Sequence, residues 1–359
     1  MSTESIRCSI YRGGTSKGVL FRENDLPSSQ AERTRILLRI FGSPDLKQID
    51  GLGGATMQTS KAMIVGRSAD PQADVQMTFA QISLKDPTVD WDSVCGNMTS
   101  AVGPFAINEG MVRASEPVTP VRIYSTNAKK YVTAHVPVNN GKALVHGDYS
   151  IPGVPGTGAR IELEWMDPAG SITGKLLPTG NPTDEVSLPD GRKFTVSIVD
   201  AGNVTVFLDA HELGLHGTET PSEFDQNKKM QATIEEIRSV AADLAGMKAS
   251  PGMPKVGFFA TPQTTDMDIV ARLMSAQLMH KSYMGAGAVC TSAAAAIDGT
   301  IPNRLRAELT KQSGLVRIGH PAGVMDSTVK AHRHNGSMVI ESASFSRTAR
   351  PIMEGFAYL

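Results

Sequence analysis

Cys95 stands directly before Gly96-Asn97, at the head of a run of small residues that ends at Gly110. At a helix start, unpaired N–H groups and aligned peptide dipoles favour an anion, which draws a thiol below its free pKa of ~8.5. The same amides suit a substrate carboxylate or a developing enolate. A cysteine in apolar surroundings is otherwise a small core residue; the Gly-Asn that follows lets a ligand approach the backbone and favours the chemical role. Cys290, inside an alanine-rich run, and Cys8, in a strand-like segment, read as core. Lys61 follows Gly51-Leu-Gly-Gly-Ala-Thr-Met-Gln-Thr-Ser60 and leads into apolar Ala-Met-Ile-Val. Partial desolvation there lowers an ammonium's pKa from ~10.4 toward neutrality and makes the amine a usable base. Most lysines at strand starts are simply solvated, so Lys61 needs a partner to be read this way. Arg12-Gly-Gly-Thr-Ser-Lys17-Gly18 lacks the P-loop order. Its glycines, hydroxyls and cation form either a carboxylate cradle or a plain turn with an exposed lysine. Gly319-His320-Pro-Ala-Gly323 is another glycine-flanked loop, whose histidine alone reads as a surface residue.

Two segments must position these groups. Gly96–Gly110 and Gly285–Gly299 are small on nearly every side, so a helix there is buried all round and lets strands approach closely. Each opens with glycine after a sulfur residue, Cys95 in one and Met284 in the other, a little over half the chain apart. The pairing reads as a decayed duplication: two domains, each a curved sheet around one central helix. The loop Leu176–Asp184 is the expected boundary. Short β-branched runs at Val121–Tyr124, Tyr131–Val138, Lys193–Val199 and Val204–Leu208 predict strands. Ser29-Gln-Ala-Glu32 and Thr233-Ile-Glu-Glu236 read as capping boxes that start two amphipathic helices, the second stopped by Gly246. The mixture predicts an α+β fold.

The chain has 359 residues, 35 Lys+Arg against 36 Asp+Glu, and no block of like charges, so a non-specific nucleic-acid binder is disfavoured. No apolar run approaches the ~18 residues of a membrane span, and the first residues lack a secretory layout. Three cysteines are too few for a disulfide framework, which favours a cytoplasmic setting. His332-x-His334 and His211-x4-His216 lack a carboxylate or cysteine at a familiar metal spacing. Neither Gly-x-Gly-x-x-Gly between strand and helix nor Gly-x-Ser-x-Gly is present. The expectation is proton chemistry with no metal and no cofactor, on a small molecule.

Taken in order, Arg12–Gly18, Thr59-Ser-Lys61, Cys95-Gly-Asn97, Val102-Gly-Pro-Phe-Ala106, Gly319–Gly323 and Arg347-Thr-Ala-Arg350 resemble the PrpF family of methylaconitate isomerase, methylitaconate isomerase and oxalomesaconate tautomerase. The resemblance runs from Arg12 to the C-terminus. It implies a diaminopimelate-epimerase-like fold with the active site in the cleft between two similar domains. These are expected at 1–184, completed by 342–359, and at 185–341. It implies Lys61 and Cys95 as catalytic residues. It implies substrate binding by Thr15, Ser16, Lys17, Gly96 and Asn97 from the first domain, and by Met284, Gly285, Ala286, His320 and Gly323 from the second. By periodicity Asp268–His280 suits an amphipathic helix; the family fold implies a strand leading into the second central helix, and that is the expectation here.

Racemases of this fold place a cysteine before each central helix, whereas Met284 carries a thioether that cannot exchange a proton. The expected reaction, as the resemblance implies, is a cofactor-independent 1,3-allylic proton shift in an unsaturated di- or tricarboxylate such as methylaconitate, aconitate, methylitaconate or 4-oxalomesaconate. Lys61 is the candidate base, with Cys95 as its partner or as an alternative base. Thr56-Met57-Gln58 replaces an acidic residue common in the family's loop, which bears on substrate identity. The rival readings are a racemase or epimerase of a small amino or hydroxy acid, which needs a substitute for Met284, and a non-catalytic carboxylate-binding protein. No nucleic-acid or membrane partner is expected; a homodimer is the default assembly.

Overall fold

The computed structural model describes residues 4–250, 252–275, 278–310 and 314–359. The chain divides into two units, one of residues 1–164 with 346–359, the other of residues 165–345. The first opens with β1 (Ser5–Gly13) and antiparallel β2 (Ser16–Arg22). Helix α1 (Gln30–Phe41) starts on Ser29, whose side chain accepts from the Glu32 N–H. It buries Ile36, Leu37, Ile40 and Phe41, and stops at left-handed Gly42. Strand β3 (Lys61–Arg67) lies parallel to β2, and β4 (Val75–Ile82) returns antiparallel with short β5 (Val89–Asp90) against its end. Helix α2 (Gly96–Asn108) leads to β6 (Val118–Ser125), parallel to β4, and then to antiparallel β7 (Lys130–Asn139). Val132, Ala134, Val136 and Val138 alternate inward along β7, the period-2 signature of a half-covered sheet. The short strands β8 (Lys142–Ala143) and β9 (Ile161–Met166) follow.

The second unit repeats the alternation. Strands β10 (Asp184–Ser187), β11 (Lys193–Asp200) and β12 (Val204–Asp209) run antiparallel in turn. Helices α3 (Pro221–Gln226) and α4 (Lys228–Leu244) precede β13 (Lys255–Ala260), parallel to β12, and antiparallel β14 (Ile269–Ser275). After β15 (Leu278–Met279) come α5 (Gly285–Ala296) and α6 (Ile301–Leu305). Strand β16 (Leu315–His320) lies parallel to β14 and is followed by antiparallel β17 (Gly323–His334) and β18 (Ser337–Arg347). Finally β19 (Ala349–Tyr358) pairs with β1.

Helices α2 and α5 are buried on nearly every side. A Cβ on Gly103 would lie 2.6 Å from Val136 of β7, and one on Gly287 would collide with Leu273 of β14. Small residues thus let strands approach a helix more closely than any side chain allows.

Two expectations change. Helix α4 begins five residues before Thr233, because the Asn227 side chain accepts from the Met230 N–H. Thr233 is buried inside that helix, its hydroxyl accepting from Arg192. The Thr-x-x-Glu box is realised instead at Thr220 and Glu223, ahead of α3. The units divide within β9 and β18, rather than at Leu176–Asp184 and residue 342. Residues 168–173 bond to the second unit: Pro168 O accepts from Gly202, and the Asp200 carboxylate accepts from Ser171, Ile172 and Thr173. The strand expected within 268–280 is β14 with β15; residues 276 and 277 lie outside the described residues. No helix among the described residues is long and apolar enough to cross a membrane.

Candidate active site

In the first unit the candidates gather around the β1–β2 turn. Cys95 is the N-cap of α2, in an extended conformation, with no side-chain capping bond. The first intrahelical bond runs from the Thr99 N–H to Cys95 O at 3.0 Å, leaving the amides of Gly96, Asn97 and Met98 without a partner inside the helix. Asn97 turns toward the hairpin. Its Nδ2 donates to Thr15 Oγ1 at 3.0 Å, and its Oδ1 accepts from Arg347 Nε at 3.0 Å. A Cβ on Gly14, whose φ is +52°, would collide with Asn97 Oδ1, and one on Gly13 would lie 2.6 Å from Asn97 O. The Gly-Gly pair therefore makes room for the first turn of α2; it is not left free to wrap an anion. Ser16 is buried at the start of β2, and Lys17 is half-buried, its amine 3.4 Å from where a Cβ on Gly54 would stand.

Lys61 begins β3 and pairs with Gly18 of β2. Its Nζ donates to Gln81 Oε1 at 2.6 Å and sits 5.1 Å from the centre of the Phe79 ring. A Cβ on Gly18 would lie 2.7 Å from Lys61 O and 2.8 Å from the Met98 methyl, so one glycine borders both the lysine strand and the first turn of α2. The Gly-rich loop is likewise packed. A side chain on Gly53 would strike Gln48, which is 2% exposed and accepts from Ser60 Oγ at 2.6 Å and from the Ala55 N–H at 2.9 Å.

Two residues outside the sequence-derived set join this group. Gln81 takes Lys61 as a donor, and Arg347 reaches α2 from the end of β18. Burial lowers the Arg347 guanidinium to about 10, against the opposing pull of Tyr149 and Cys95. A carboxylate or enolate there would offset the cost of burying that cation. Arg347-Thr-Ala-Arg350 stood out in the sequence, but nothing local links it to a helix 250 residues earlier.

The second unit holds the remaining candidates. Met284 is the N-cap of α5, again without a side-chain capping bond. Gly285 lies where a Cβ would strike the Phe345 ring, and Ala286 is half-buried in the first turn. Tyr283 stacks on the 6%-exposed His320, ring centres 6.1 Å apart, and so ties the His320–Gly323 turn to the head of α5. His320 Nδ1 accepts from the Ala322 N–H at 3.2 Å. Cys290 is wholly buried, its thiol pushed up to about 12 by burial, and burial likewise raises Cys8. No group of three or more His, Cys, Asp or Glu able to hold a metal is found among the described residues.

The family model described as PrpF protein matches residues 3–359. The chain belongs to the PrpF family. Among its relatives, the 3-methylitaconate isomerase of Eubacterium barkeri is 45% identical, over 99% of this chain and 97% of that one. The 2-methyl-aconitate isomerase of Shewanella oneidensis is 37% identical, over 98% and 96%. A crystal structure of methylitaconate-delta-isomerase superposes with a TM-score of 0.88 at 44% identity, covering 100% of this chain and 96% of its own. A hydroxyproline epimerase from Agrobacterium vitis, 13% identical with a TM-score of 0.59, covers 99% and 93% and shares the fold alone. This PrpF chain is thus an isomerase with the diaminopimelate-epimerase-like fold.

Proposed function

We propose that this PrpF chain transposes a carbon–carbon double bond in an unsaturated di- or tricarboxylate by a 1,3-allylic proton shift, with Lys61 and Cys95 as the acid–base pair. One group removes the proton from the carbon beside the double bond, and the electron pair delocalises into a carboxyl-conjugated dienolate. A proton then returns at the far end of the allyl system. One proton leaves and one arrives, so the step is redox-neutral. The observation that carries this reading is the head of α2: a cysteine N-cap, three amides without helical partners, and a buried guanidinium bonded to the Asn97 side chain. Donors of this kind stabilise a developing enolate, and acid–base groups typically add 10²–10⁴-fold. The names of the relatives support the substrate class.

The test is a screen of methylaconitate, methylitaconate, aconitate and 4-oxalomesaconate in deuterated water, read by NMR. The expected result is isomerisation of at least one acid, with deuterium entering at the allylic carbons. Lys61→Met and Cys95→Ser should each cut turnover and exchange by roughly 10²-fold or more. Full activity in both variants would overturn the assignment. Exchange at the α-carbon of an amino acid, with all four acids inert, would favour an epimerase.

A further inference from the structure

We propose that Gln81 is a positioning residue for proton transfer at Lys61, an inference that rests on Lys61 being one of the transferring groups. The Gln81 carboxamide has a single orientation available. Its Nε2 donates to Met57 O at 3.1 Å and to Ser60 O at 2.8 Å, so both N–H bonds are used. The oxygen is left to face Lys61 Nζ at 2.6 Å. The Ser60 carbonyl that turns it is itself held, because it also accepts from the Ile82 N–H and the Ser60 hydroxyl is tied to buried Gln48. Phe79, two residues earlier on the same face of β4, puts its ring beside the amine.

The consequence is directional. A neutral amine has two N–H bonds and one lone pair, and anchoring one N–H on Gln81 restricts where the lone pair points. After it takes a proton, the ammonium keeps that acceptor and gains the attraction of the Phe79 face. The neutrality of the acceptor also matters. A carboxylate here would form an ion pair that favours the charged, non-basic amine. Glutamine therefore supplies aim without locking the proton on.

The experiment compares Gln81→Met, Gln81→Glu and Lys61→Met in the full chain, using whichever of the four acids the wild-type chain isomerises fastest. In Gln81→Met, kcat should fall roughly 10–100-fold with KM within about threefold, because substrate still binds while the amine loses its aim. In Gln81→Glu, the rising limb of kcat against pH should move up by about one unit, with activity recovering at alkaline pH. On the strands that pair with β3 and β4 the titratable and charged side chains are Lys17 and Arg22 of β2, Asp90 of β5, opposite Gln81, and Arg122 and Tyr124 of β6, with Cys95 before α2. All of them are common to both chains, so a displaced limb reports the new carboxylate. An unchanged kcat in Gln81→Met with an unmoved profile in Gln81→Glu, while Lys61→Met is inactive, would overturn the role of Gln81 alone. Full turnover in Lys61→Met would overturn the lysine assignment and this inference with it.

Discussion

At the scale of single residues, Asn97 and Arg347 behave as one device. Thr15 holds the amide nitrogen and Arg347 the oxygen, so the carboxamide cannot rotate without breaking one bond of each kind. Lysine lacks the planar fork that lets Arg347 bond Asn97 through Nε and Ser346 O through Nη1. Arg347→Lys should therefore keep its circular dichroism spectrum yet lose roughly 10–100-fold in kcat/KM. In a thermal-shift assay a dicarboxylate should stabilise it less than wild type; equal stabilisation would detach Arg347 from the anion site. Asp268 in the second unit offers a separate test. Burial pushes its carboxyl up, but bonds from the Arg317 side chain and backbone, with the charges of Arg317 and Arg306, bring it below its ordinary value. A carboxyl whose folded pKa is depressed contributes stability that is present above the unfolded value near ~3.9 and lost as pH falls through the folded value. Chemical denaturation of Asp268→Asn should show a shallower loss below pH ~4 than wild type, together with a cost of about 1–3 kcal/mol at neutral pH.

At the scale of elements, the caps decide where helices begin. Asn227→Ala should cost about 1 kcal/mol in denaturant unfolding and speed amide exchange in the first turn of α4. Elements whose pattern is local were legible in the sequence. The inward valines of β7, the Ser29 start of α1 and the all-small α2 and α5 each carry their own signature. Strand β14 carries none, because Ile269–Met274 is buried on both faces and alternation disappears; the family resemblance, not periodicity, identified it. The α4 start was misplaced because Thr233 satisfies the same Thr-x-x-Glu pattern as a true cap, and only the Asn227 bond separates the two. The candidate site divides along the same line. Cys95 at a glycine-led helix and Lys61 after a glycine-rich loop announce themselves, whereas Gln81 and Arg347 take their meaning from partners 20 and 250 residues away.

At the scale of the whole chain, each unit runs the same sheet order with one strand supplied differently. In the second unit β10 immediately precedes β11 and pairs with it antiparallel. In the first unit the matching place beside β1 is filled by β19, from the far end of the chain. Ser5 pairs with Tyr358, and the Leu359 N–H donates to Glu4 O at 3.0 Å, so residues 4 and 359 already meet. A short glycine linker from residue 359 to residue 4 would thus join strands that are neighbours, at little loop-closure cost. It would give the first unit the same hairpin start that the second unit has by sequence. A chain built as 346–359, linker, 4–164 should fold by itself, with a cooperative thermal transition and slow amide exchange in β1. The same unit without 346–359 should lack that transition, because β1 loses its partner strand and Asn97 loses Arg347. A cooperative transition in both chains would mean that β19 is dispensable to the first unit.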